Sequence, residues 1–165
     1  GNVLDWQDVV GEKGAWDTLV WMGSIIALAG FLNSFGFIAW FSKIVGASLV
    51  GYSWTVALLL IMILYMYTQY AFAGLSAHVT ALFPALAAVA IATGAPVAMT
   101  VLSLGFISSL CGCLTHYATG PSPIFFGAGY TDVKTWWKIG FWISLVHMVI
   151  WVGVGSIWWK VLGLW

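Results

Sequence analysis

Apolar residues run along this chain in long blocks separated by a few short polar gaps, and the lengths of those blocks predict its elements. Residues 1–16 mix Asp5, Asp8, Glu12 and Lys13 with Trp6, Val9 and Val10, and predict a short loop or surface helix leading to a membrane. Residues 17–35 are long enough to cross roughly 30 Å of hydrocarbon, with Asp17 at the near interface and Asn33 at the far end. Residues 36–52 carry Lys43 and are too short to span, which predicts an interfacial helix. Residues 53–93 predict a helical hairpin, because its two apolar arms are joined by Gly74-Leu75-Ser76-Ala77-His78, a join without charge or proline. Arm length leaves two arrangements open there: a re-entrant hairpin whose tip stops inside the membrane, or two full spans with a tight turn. Residues 95–129 predict a span that breaks, and residues 132–163 a final span.

The break has a local cause. Between Leu114 and Gly129 lie Gly120, Pro121, Pro123 and Gly127, with apolar sequence on both sides. Proline lacks an amide proton and clashes with the preceding turn, and glycine weakens a helix, so no continuous helix passes through this composition. Broken backbone at membrane depth leaves amides and carbonyls that cost several kcal/mol each, in order of magnitude, unless protein, water or a solute satisfies them. An interrupted membrane helix therefore points to a transport site.

Composition sharpens the class. Of 165 residues 62% are hydrophobic and only 6% charged, too few charges to cover a soluble domain of this size. The chain reads as an all-α integral membrane protein, and its net charge of zero argues against a nucleic-acid partner. Twelve tryptophans cluster near block ends, among them Trp16, Trp21, Trp54, Trp136, Trp137, Trp158 and Trp165, as expected of an interfacial aromatic belt. Cys111 and Cys113 read as small packing residues, and Ser103, Gly105, Ser108 and Gly112 as positions that let helices approach. No metal or other cofactor is expected. A Ser/His catalytic reading finds no buried acid to orient an imidazole, so an enzyme is not expected either.

All five Lys and Arg residues are lysines. A site that must release an anion on either face is better built from hydroxyls and helix dipoles than from a fixed, deeply attractive cation. Ser76, Ala77 and His78 at the start of the return arm, and the run Thr115 to Ser122, are the candidates, with hydroxyls from Thr80, Thr115, Thr119 and Ser122. His78 and Ser76 at the hairpin tip are expected to face what the broken backbone faces. His116 adjoins the break, and His147 reads as structural.

Three passages carry a family likeness: Gly11-Glu-Lys-Gly-Ala-Trp-Asp-Thr18, Tyr70-Ala-Phe-Ala-Gly-Leu-Ser-Ala-His-Val-Thr80, and Thr115-His-Tyr-Ala-Thr-Gly-Pro-Ser-Pro-Ile-Phe-Phe-Gly-Ala-Gly-Tyr130 followed by Lys134-Thr-Trp-Trp-Lys138. In them the chain resembles the divalent anion:sodium symporter family, in the branch of citrate/succinate and tartrate/succinate antiporters and 2-oxoglutarate/malate translocators. The resemblance implies an inverted-repeat transporter in which a Ser-Asn-Thr signature at each of two hairpin tips, with unwinding in the partner helix, holds a dicarboxylate. It maps Ser76, Ala77 and His78 onto the second signature and Thr119, Gly120, Pro121 and Ser122 onto the unwound segment. Ala77 and His78 replace the Asn and Thr whose side-chain oxygens lie where symporters of the family hold sodium, which favours exchange over sodium coupling.

The likeness covers about the last third of such a transporter. The expected function is therefore antiport of di- or tricarboxylates by an elevator-like cycle, with this chain carrying half of the substrate site. Its expected partners are the carboxylate anions, the bilayer, the missing N-terminal part of the transporter and a second copy in a homodimer. A bacterial inner membrane is favoured over a plastid inner envelope. The rival readings are a Na⁺-coupled symporter of the same family and a non-transporting membrane subunit.

Overall fold

A computed structural model describes residues 5–164, apart from the side chains at 17–18, 21–22, 25–26, 28–29 and 32–33. The expectations for Asp17, Trp21, Asn33 and Trp165 fall outside the described set. The described chain is helical. Helix α1 (Trp6–Gly11) is started by Asp5, whose carboxylate accepts from the amides of Gln7 and Asp8 at 2.8 and 3.0 Å while Asp8 reciprocates to the Asp5 amide at 2.9 Å. That reciprocal pair satisfies amides that the first helical turn cannot. Helix α2 (Lys13–Ser34) follows, and Gly36, at φ +74°, turns the chain into α3 (Phe37–Ser48).

At 12 residues α3 is about 18 Å long, short of a bilayer core as its sequence predicts. It buries Ile38 and packs Phe41 and Val45 on the core, leaving Trp40, Lys43 and Ile44 exposed. Beyond a turn at Gly51 come the two hairpin arms: α4 (Trp54–Thr68), prolonged by a 3-10 turn at Gln69–Ala71, and α5 (Leu75–Ala92). Gly74 joins them at φ +105° and ψ 141°, a backbone state that a side chain strongly disfavours. Each arm, Trp54–Ala71 and Leu75–Ala92, is an 18-residue stretch apolar enough on average to cross a membrane and is about 27 Å long.

Helix α6 (Val97–Leu110) packs against both arms and ends in a 3-10 turn at Cys111–Cys113. The helix then stops, and six residues of α7 (Ser122–Gly127) resume it after the predicted interruption. Asp132 caps α8 (Val133–Met148), accepting from the Thr135 amide at 2.8 Å and its hydroxyl at 2.9 Å. Those donors hold the Asp132 carboxyl below the usual carboxylate range.

The final span is not uniform α-helix, as its hydropathy suggested. Residues Val149–Val154 form a π-helical stretch before α9 (Gly155–Val161). Phe106 of α6 supplies a reason, since both Trp151 and Trp159 stack on it, with centroids 4.5 and 6.0 Å away. Eight residues carry an α-helix about 80° beyond two full turns, and a wider π-turn takes part of that back, bringing both indoles to one side.

The core lies between α4, α5 and α6, where Ala57, Ile61, Met66, Leu86, Ala90 and Leu104 are fully buried. Hydroxyls tie the helices across it: Tyr65 to Ser108 at 2.8 Å, and Tyr67 to Ser144 of α8 at 3.2 Å. Gly105 is not one of the close-approach positions, because a Cβ there would meet nothing within 4 Å. Gly112 is, as its neighbours in the next section show.

Candidate functional site

The interruption runs from Leu114 to Pro121. Tight turns replace the helical ladder there, with the Ala118 amide donating to the Thr115 carbonyl at 3.3 Å and the Ser122 amide to the Thr119 carbonyl at 3.2 Å. Pro123 sits in the first turn of α7, where a missing amide proton costs no helical bond. The hydroxyls of Thr119 and Ser122 are bonded to each other at 2.5 Å, and the Ser122 amide lies 3.3 Å from the same Thr119 oxygen.

The start of α5 is fastened to this stretch. The Leu75 amide donates to the Ala118 carbonyl at 3.0 Å, so one orphan amide of the helix and one orphan carbonyl of the break satisfy each other. The Tyr117 hydroxyl donates to the Tyr70 carbonyl at 2.8 Å, a second tie between break and hairpin. Gly112 makes room for both, since a Cβ on it would stand 2.9 Å from Thr119 Cγ2 and 3.5 Å from a Leu75 methyl. The amides of Ser76 and Ala77 remain as first-turn donors beside the join, at the positive end of the helix dipole. Ser76, Thr80, Gly120 and Pro121 are exposed, Ala77 and Thr119 half-buried, and Ser122 buried. Pro84 of α5 adds a feature that sequence reading missed: with no amide proton, it cannot bond the carbonyl of Thr80 one turn back.

His78 lies apart from these groups. Its ring is fully buried between the hairpin arms, stacked on Tyr65 at 4.4 Å and edge-on to Phe72 at 5.3 Å. Nε2 is 2.9 Å from the Thr68 hydroxyl, which spends its one proton on the Tyr65 carbonyl at 2.9 Å. His78 Nε2 must therefore be the donor, leaving Nδ1 as a buried acceptor with no partner among the described residues. Thr115 is buried as well, with no partner for its hydroxyl among the described residues. The structure thus brings Ser76, Ala77, Thr119, Gly120, Pro121 and Ser122 to one join and turns His78 behind it, away from the direction the sequence suggested.

Two contacts at the break were not foreseen from sequence. Gly140 of α8 presses on the backbone of Cys113 and Leu114, and the Trp137 indole donates to His116 Nδ1 at 3.2 Å. His147 takes a structural place, with Nδ1 4.0 Å from Cys113 Sγ. The described carboxylates, Asp5, Asp8, Glu12 and Asp132, are all exposed.

What converges here is a set of neutral hydrogen-bond donors around a helix start, where the helix dipole presents its positive end. The chain is 46% identical over 168 residues to the chloroplastic dicarboxylate transporter 1 of Arabidopsis thaliana, covering 99% of this chain and 30% of that protein. It is 45% identical over 168 residues to the spinach (Spinacia oleracea) dicarboxylate transporter 1, covering 99% and 29%. To the L-tartrate/succinate antiporter of Escherichia coli it is 37% identical over 158 residues, covering 95% and 32%. The chain thus spans about a third of the length of these relatives. All of residues 1–165 match the sodium:sulfate symporter transmembrane region, and the chain belongs to that family of membrane transporters, the divalent anion:sodium symporters.

Proposed function

We propose that this chain is the C-terminal part of a di- or tricarboxylate exchanger and carries half of its substrate site. The observation that supports this most is the bond from the Leu75 amide to the Ala118 carbonyl, which keeps the start of α5 and the broken stretch at one join. A carboxylate arriving there meets the amides of Ser76 and Ala77, the Ser76 hydroxyl, and the Thr119–Ser122 pair around Gly120 and Pro121. None of these carries a full positive charge, so the anion is held by dipoles it can leave on either side of the membrane. His78 supports the tip from behind through Thr68 and Tyr65.

Exchange fits this site better than sodium coupling. Ala77 offers no side-chain oxygen, and His78 Nε2 is a donor committed to Thr68, so neither presents the oxygen ligands a hard cation needs. The test uses the full-length protein in liposomes loaded with succinate. Uptake of labelled malate or citrate should require internal carboxylate and be the same with sodium or with choline outside. Uptake into empty liposomes driven by a sodium gradient would replace exchange with symport, and no carboxylate flux in any condition would refute the reading.

A further inference from the structure

We infer that His116 is a positioning residue of this exchanger, whose neutral ring, bonded to Trp137, holds the broken stretch on the last span and releases it when protonated. This rests on the functional reading above. Residues 114–121 have no helical ladder to set their position, so contacts with other elements must do it. His116 makes most of the ring contacts in that stretch. Its imidazole lies 4.5 Å from the Phe126 ring of α7 and 5.0 Å from Tyr117, and Nδ1 accepts the Trp137 indole proton at 3.2 Å. Trp137 in turn packs on Tyr70 at the end of the first hairpin arm, with centroids 5.2 Å apart. One hydrogen bond thus sits where the break, α7, α8 and the hairpin meet, three residues before Thr119.

An indole N–H can only donate, so the bond requires a lone pair on Nδ1 and the proton on Nε2. Protonated imidazole carries a hydrogen on both nitrogens. N–H then faces N–H, and the tie becomes a repulsion. The titratable and charged groups on the surrounding elements do not offset this. Tyr117 gives its proton to the Tyr70 carbonyl, Tyr70 meets Trp137 through its ring, Lys134 and Lys138 of α8 are exposed, and Asp132 is engaged by Thr135. The direction follows: the tie is whole with the ring neutral and is lost as pH falls.

Asparagine at 116 places an acceptor oxygen where Nδ1 stands and does not titrate. Exchange by the full-length protein in proteoliposomes is measured between about pH 8 and pH 5. Each wild-type rate is divided by the His116→Asn rate at the same pH, which cancels titration of the carboxylate itself. The ratio should fall about fivefold toward acid, the equivalent of one neutral hydrogen bond, whereas Trp137→Phe should be low and flat relative to His116→Asn. A second arm reads the tie without transport: in protein labelled with 5-fluorotryptophan, the resonance missing from Trp137→Phe should move with pH in wild type and stay in His116→Asn. A ratio independent of pH, or a Trp137 resonance that does not move, overturns the inference. If wild type exchanges no carboxylate at all, the functional reading falls by itself and the resonance alone decides the tie.

Discussion

Gly140 of α8 touches the carbonyl of Cys113 so closely that no side chain fits between them. A Cβ on it would also stand 3.0 Å from the Leu114 carbonyl oxygen and 3.1 Å from the Leu114 Cα. All three neighbours are backbone, which cannot swing aside as a side chain does. Gly140→Ala should therefore push the last span off the break, at a cost of about 1–3 kcal/mol, as for other overpacked sites. Gly105→Ala, where a Cβ meets nothing within 4 Å, should be neutral or slightly stabilising because alanine is the better helix former. Thermal unfolding of the full-length protein in detergent separates the two, and a Gly140→Ala protein as stable as wild type would show that α8 does not seat on that backbone.

The broken span was legible because proline and glycine act on their own backbone, so Gly120, Pro121 and Pro123 announce the interruption without reference to any neighbour. The hairpin was legible for a related reason: two apolar arms need a turn, and Gly74 provides one. Gly140 and Trp137 were not, because their roles depend on backbone and rings far away in sequence. His78 shows the limit within one residue. Its place at the tip follows from chain order, but the direction of its ring is decided by Tyr65, Thr68 and Phe72. The π-stretch in the last span likewise needs Phe106, which hydropathy cannot see.

Gly112 offers a contrast with Gly140. The nearest atom to a Cβ there is Thr119 Cγ2 at 2.9 Å, the end of a side chain that can rotate. Rotation would break the Thr119 to Ser122 bond. Gly112→Ala should thus lose little stability, at most about 1 kcal/mol, while raising the KM for carboxylate severalfold. Counterflow kinetics beside thermal unfolding read both; a large fall in stability with KM unchanged would mean that Thr119 contributes packing only.

Tyr117→Phe removes the hydroxyl that bonds the Tyr70 carbonyl and leaves the ring in place. The expected loss is about 1 kcal/mol of stability, together with faster hydrogen exchange at the Leu75 amide, whose acceptor Ala118 adjoins Tyr117. Tyr130→Phe, at a ring that is 93% exposed, is the control and should change neither. Equal exchange at Leu75 in both variants would detach Tyr117 from the hold on the hairpin tip.

Ser76 and His78 are two residues apart, yet one is exposed at the join and the other fully buried behind it. Their variants should fail differently. Ser76→Ala removes a hydroxyl from the open side, so the KM for carboxylate should rise several-fold with the unfolding temperature unchanged. His78→Ala empties the space against Tyr65 and Phe72 and removes the donor to Thr68. It should cost about 2–4 kcal/mol, the range for truncating a buried side chain, and lower the maximal rate through loss of folded carrier. His78→Gln can return an N–H to Thr68 and should recover part of that stability. If His78→Ala were as stable as wild type but bound carboxylate weakly, the imidazole would belong to the substrate site itself, and Nδ1, the buried acceptor, would be the atom through which a protonated carboxyl is held.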